Sequence, residues 1–138
     1  MTKENHFLQD FKIIIIEDDE GLNQLISKNL KRLDFQTVSA SNGSEGLKKI
    51  EGKKNEIILV DYKLPDMDAE DFIKKLQERE LQVPFIVITG HGDERTAVKM
   101  MKLGASDYII KQENLIGLLK HRLKNVCNEI DKEYKLQE

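Results

Sequence analysis

The sequence predicts a doubly wound α/β domain, with five parallel strands alternating with five helices. Three observations predict it. Continuous apolar runs such as Ile13-Ile14-Ile15-Ile16 and Ile57-Ile58-Leu59-Val60 have the character of strands buried on both faces. Between the runs, apolar residues recur at helical spacing, as in Leu22, Leu25, Ile26, Leu30 and Leu33. Four of the runs stop at polar residues, namely Glu17-Asp18-Asp19, Asp61, Thr89 and Lys111. Strand and helix in strict alternation is the pattern of a parallel sheet covered on both faces.

The elements follow in order. Residues 1–10 are polar and read as a loose N-terminal lead. Phe11 to Ile16 is the first strand, and a helix from about Glu20 to Leu33 follows, with Asp19 as its cap. Phe35 to Ala40 alternates apolar and polar residues, which suits an edge strand. Ser41-Asn42-Gly43-Ser44 reads as a turn, and Leu47 and Ile50 mark the inner face of a short helix. Ile57 to Val60 is the third strand, and the loop Tyr62 to Met67 follows Asp61. Asp68 caps a helix whose inner face is Phe72, Ile73 and Leu76. Pro84 to Ile88 is the fourth strand, with proline tolerated at its start. Gly90-His91-Gly92 turns into a helix capped by Asp93 and stopped by a left-handed Gly104. The Met100-Met101 pair reads as helix core. Tyr108 to Ile110 is the fifth strand, and a long helix starts near Glu113. The domain spans 11–123, and 124–138 extends its last helix.

Composition narrows the function. The chain has 138 residues, 39% hydrophobic and 34% charged, as one globular domain requires. A net charge of -3 gives no sign of a nucleic-acid surface. The single cysteine, Cys127, permits neither a disulfide framework nor a cysteine zinc site and reads as an inert thiol on a helix. No apolar stretch reaches membrane-spanning length and the N-terminus lacks a secretory signal. A cytoplasmic protein without membrane or nucleic-acid contacts is the expectation.

Right-handed crossovers bring the C-terminal ends of all five strands to one edge of the sheet, where ligands bind. With strand order 2-1-3-4-5, Glu17 and Asp18 stand beside Asp61. Close carboxylate pairs repel by roughly 4 kcal/mol at ~4 Å and an effective dielectric near 20, so the group calls for a cation. A sparse set of oxygen ligands with room for water suits Mg²⁺, with Mn²⁺ as an alternative. The other Asp61 oxygen then remains free to attack a phosphoryl group, whose equatorial oxygens the metal, Lys111 and Thr89 can meet. Taken singly, each residue has an ordinary reading: acids at strand–helix junctions cap helices, and Thr89 and Lys111 are solvated strand ends. Their coincidence at consecutive strand ends favours one site.

These residues resemble the receiver domain of two-component response regulators, from Lys12 to about Leu123. The stretches that carry the resemblance are IIIIEDDE, IILVDYKLPDMD, VPFIVITGHGD and LGASDYIIK. It implies a flavodoxin-like fold in which Asp61 is the phosphoacceptor. Asp18, Asp61 and the Lys63 backbone carbonyl would bind the metal directly, and Glu17 would bind it through water. Lys111 would contact the phosphoryl group, and Thr89 and Tyr108 would form a switch pair, the hydroxyl moving to the phosphoryl group as the ring turns inward. The implied donor is a histidine kinase or a histidine phosphotransfer domain. The implied output is a change on the face formed by the fourth helix, fifth strand and last helix.

Three features depart from the family pattern. Gln112 replaces the usual proline after the lysine; a cis bond there would cost roughly 2.5–4 kcal/mol without proline, so a trans bond and an altered approach to the last helix are expected. Ala69 replaces a common glycine, so its φ should be negative. Lys63 and His91 occupy positions that vary in the family, and both are expected to gate the hydrolytic water and so tune phosphate lifetime.

The last helix carries Leu119, Leu123, Val126 and Ile130 at heptad-like spacing. Two readings stay open: an ordinary amphipathic helix packed on the sheet, or a signalling helix joining a homodimer partner or an output module. The run KQENLIGLLKHRLKNV also resembles receivers fused upstream of sensor or histidine-kinase modules. The expected role is a switch acting only on its own Asp61, not an enzyme turning over substrate. The rivals are a degenerate receiver used as an interaction module, a flavodoxin-like cofactor protein and an aspartate-nucleophile phosphatase. The last needs an acid where Lys63 stands, and the acidic Glu17-Asp18-Asp19 would repel a bound cofactor phosphate.

Overall fold

The structure, a computed structural model, describes residues 8–137, with side chains through residue 133. Its elements are β1 (Lys12–Ile16), α1 (Glu20–Arg32), β2 (Gln36–Ala40), α2 (Gly43–Lys49), β3 (Glu56–Asp61), α3 (Ala69–Glu78), β4 (Phe85–Thr89), α4 (Glu94–Lys102), β5 (Asp107–Ile110) and α5 (Leu115–Gln137). The strands form one sheet in the order β2-β1-β3-β4-β5, every neighbouring pair parallel. Ile16 lies opposite both Ala40 and Val60, and Asp61 lies opposite Ile88. That register brings Glu17, one residue past β1, to the level of Asp61.

Side chains of a strand alternate between faces, and both faces here are buried. Ile13, Ile15, Ile57, Leu59, Ile86 and Ile88 join one core with Ile26, Leu30, Leu115, Leu119 and Leu123 of the flanking helices. Ile14, Ile16, Ile58, Val60 and Val87 join the other with Leu47, Phe72, Ile73, Leu76 and Met100. Unbroken apolar runs, Ile13 to Ile16 and Ile57 to Val60, therefore suit β1 and β3, which are covered on both faces.

Helix starts follow the expected caps. The Asp19, Asp68 and Asp93 carboxylates accept the backbone N–H groups of Leu22, Asp71 and Thr96. Three helices stop alike. After α1, α3 and α4 the chain takes positive φ at Asp34 (73°), Glu80 (60°) and Gly104 (106°). At each, the next amide bonds back five residues, as in Phe35 N to Leu30 O, Leu81 N to Leu76 O and Ala105 N to Met100 O. Only the third uses glycine, so sequence reading found only that one. The Lys111–Gln112 bond is trans, and Ala69 has no positive φ.

Several expectations change. Residues 1–7 of the expected lead lie outside the described residues, but Leu8 is buried in the core and its carbonyl accepts from Phe11 N. Gly43 and Ser44 begin α2 and do not form a free turn, because Asn42 caps that helix through Glu45 N. Met100 is core, whereas Met101 is exposed. Leu119, Leu123 and Val126 are buried within the domain's own core and Ile130 packs against it, so this seam is not free for a partner chain. Among the described residues, no helix is long and apolar enough to cross a membrane.

Candidate functional site

The acidic centre is assembled by strand ends. Glu17 N donates to Ala40 O at 3.0 Å, which ties the end of β1 to β2. The buried Asn23 amide reaches over from α1 and donates to Glu17 O at 3.1 Å and Ala40 O at 3.2 Å. Asp61 ends β3 and is 5% exposed, Glu17 is 1% exposed, and Asp18 is open to solvent. One carboxylate oxygen from each of the three lies within 4.8 Å of the others.

Lys111 follows β5 and is anchored by its own N–H to Thr89 O at 2.7 Å. Its ammonium donates to Asp61 Oδ2 at 3.0 Å and pairs with Glu17 Oε1 at 2.5 Å. The Glu17 oxygen is fully buried and has no partner in hydrogen-bond geometry, so one ion pair is all that meets it. Burial, with the Asp61 charge adding to it, pushes the Glu17 carboxyl up to about 7, although Lys111 and the Asp19 N–H work the other way. For Lys111, burial pulls downward, but its bonds to Glu17 and Asp61 outweigh that and hold the ammonium above its usual range. The two directions agree physically, since the lysine faces two acids while the glutamate faces one lysine and another acid. Three gathered carboxylates with a single ammonium between two of them are an arrangement that a hard divalent cation satisfies.

Thr89 ends β4, is buried, and its hydroxyl accepts from His91 N at 3.3 Å. Tyr108 is half-buried against the α3–α4 side of the sheet. Its hydroxyl is buried without a hydrogen-bond partner; burial pushes its pKa up, with Thr89 nearby partly offsetting this. Gly92 packs beside Ile110 and the ring, where an added Cβ would fall 2.8 Å from Ile110 Cγ1 and 3.2 Å from Tyr108 Cε1. His91 is exposed. Lys63 is also exposed, with its N–H directed at Asp61 Oδ1 at 3.4 Å. The loop between β3 and α3 folds back on itself through Leu64 N to Met67 O and Ala69 N to Tyr62 O.

The structure thus brings Glu17, Asp18, Asp61 and Lys111 together, sets Thr89 and Tyr108 on adjoining strands, and leaves the Lys63 and His91 side chains at the rim. Sequence reading missed Asn23 and Asp66. Asn23 carried a faint signal, a polar residue on the inner face of an amphipathic helix. A groove of about 410 Å³ opens beside the acids, between Asp18, Glu20, Gln24, Ser41 and Glu45.

The family model for the response regulator receiver domain matches residues 13–122. The alkaline phosphatase synthesis transcriptional regulatory protein PhoP of Bacillus subtilis is 35% identical over 100 residues, 72% of this chain and 42% of that protein. Among solved structures, a CheY-like response regulator receiver domain protein of Methanospirillum hungatei superposes with a TM-score of 0.80 at 28% identity, covering 89% of this chain and 98% of that one. The non-phosphorylated HemR receiver domain of Leptospira biflexa gives 0.77 at 26% identity, covering 85% and 94%. The chain spans less than half the length of the curated relatives it matches.

Proposed function

The chain belongs to the response regulator receiver family, a family of signalling switches, and on that premise we propose that Asp61 accepts a phosphoryl group from a histidine kinase or a histidine phosphotransfer domain. The observation that carries the reading is the Asp61 carboxylate held at 3.0 Å from the Lys111 ammonium, inside a cluster of three acids at the ligand-binding edge of the sheet. An Asp61 oxygen attacks phosphorus, the bond from phosphorus to the donor imidazole nitrogen breaks, and that nitrogen leaves with the electron pair. Lys111 and the Thr89 hydroxyl meet the charge that spreads over the transferring oxygens. Asp18, Asp61 and the Lys63 carbonyl would hold Mg²⁺, with Glu17 behind a water, and the ion supplies the positive charge that lets the acids and the phosphoryl group share one site. Three carboxylate oxygens within 4.8 Å of one another, more negative charge than the Lys111 ammonium alone offsets, support that fit.

For the output, Thr89 exchanges its bond from His91 N for the phosphoryl oxygen, and Tyr108 follows. The consequence falls on α4, β5 and α5, where Val98, Met101 and Ile110 are large exposed apolar side chains. Reversing an equilibrium from mostly inactive to mostly active takes about 5.5 kcal/mol, within reach of a dianion meeting a metal, an ammonium and a hydroxyl. Intact-mass analysis after incubation with a small phosphoryl donor, with and without Mg²⁺, tests the reading. A single Mg²⁺-dependent, base-labile phosphoryl adduct, absent from Asp61→Asn, is expected. A folded, Mg²⁺-binding protein that takes no adduct from the small donor or from a phosphorylated phosphotransfer domain would leave only an interaction module.

A further inference from the structure

Asp66 lies five residues past Asp61, yet its carboxylate faces another element. Its Oδ1 accepts Gly43 N at 2.8 Å and its Oδ2 accepts Ser44 N at 2.9 Å. Helix α2 cannot satisfy its first N–H groups internally. Asn42 takes the one from Glu45; Asp66 takes the other two, from 22 and 23 residues further along the chain. Burial alone would raise the Asp66 pKa, but the Ser44 and Gly43 N–H groups outweigh it and hold the carboxyl below its usual range. Met67 closes the same contact. It packs so tightly on Gly43 that an added Cβ there would fall 2.5 Å from Met67 Sδ. The loop is a narrow antiparallel hairpin, with Lys63 bridged to Asp68, so a pin at its tip acts on the whole of it.

We propose that Asp66 is a positioning residue for the Asp61 site, latching the loop that carries Lys63 onto the first turn of α2. The assignment of Lys63 as a metal ligand rests on the phosphoacceptor reading above; the latch itself does not. A backbone carbonyl cannot be re-aimed by choosing a rotamer, so its direction depends on the loop being held at both ends. The root is held by Tyr62 N to Ile88 O at 2.8 Å and the tip by Asp66. Outer partners of metal ligands commonly set affinity in this way.

Two variants separate a latch from simple loss of a helix cap. Asp66→Ala frees the loop, whereas Asn42→Ala removes a cap from the same helix without touching the loop. Amide exchange of Leu64 and Ala69, followed by NMR in metal-free protein, should quicken in Asp66→Ala and not in Asn42→Ala. Calorimetric Mg²⁺ titration should show about tenfold weaker binding for Asp66→Ala, with Asn42→Ala within about twofold of the parent and Asp66→Asn between them. Unchanged affinity in Asp66→Ala, or equal loss in both variants, overturns the proposal. If the parent protein binds no Mg²⁺, the phosphoacceptor reading fails, and the latch stands or falls on amide exchange alone.

Discussion

Replacing Glu17 with glutamine should stabilise the metal-free protein, and only where the pH is high enough for Glu17 to ionise. The folded carboxyl titrates near 7 against an ordinary value of 4.5, so its ionised form is disfavoured in the folded state. A group raised in this way contributes stability that is complete below pH 4.5 and is lost as pH rises through 7. A difference of about 2.5 at ~1.4 kcal/mol each amounts to roughly 3 kcal/mol at pH 8. The attraction of Lys111 for the ionised Glu17 is already contained in that shift, so losing it in Glu17→Gln subtracts nothing further. The gain is therefore about 3 kcal/mol, or roughly 9–12 °C in Tm for a domain of this size. Thermal unfolding followed by circular dichroism in EDTA should show that gain at pH 8 and only a small part of it at pH 5. Mg²⁺ should raise the Tm of the parent more at pH 8 than at pH 5, and that of Glu17→Gln less at either pH. A variant no more stable than the parent at pH 8 would show that Glu17 is not held as an unfavourable buried charge that a cation would relieve.

Other consequences can be measured on the same protein. Glu56 is fully buried and accepts the N–H groups of Glu51, Gly52 and Lys53 while pairing with Lys12; Glu56→Ala should cost about 3 kcal/mol in urea unfolding, and a loss below about 1 kcal/mol would mean that water replaces it. Lys63→Ala and His91→Ala remove the two exposed side chains at the rim of the site. Each should alter the rate at which aspartyl phosphate is hydrolysed, by about threefold or more if the group orients or excludes water; unchanged rates in both would dismiss them as tuning residues.

The strands, their order along the chain and the polar residues at their ends were legible in the sequence because each is a local signal. An unbroken apolar run needs a strand covered twice, and an aspartate before a helical period needs only the amides of the next turn. Ile13 to Ile16, Ile57 to Val60, Asp19, Asp68 and Asp93 could therefore be placed without knowing their neighbours. Helix ends at Asp34 and Glu80 could not, since no glycine marks them and the positive φ is imposed by how the chain must turn into the next element. Nor could local period tell which side of α4 would meet the sheet, which decided Met100 from Met101. The seam of Leu119, Leu123 and Val126 has the same spacing whether it faces a partner or its own domain, and only the position of α5 against β5 and α1 settled it. The acid cluster lies between these cases. Its members were named by chemistry, but their closeness depends on β1 and β3 being neighbours in register. Asp66 depended on tertiary structure entirely, because its partners lie more than twenty residues away and two backbone amides leave no mark in a sequence.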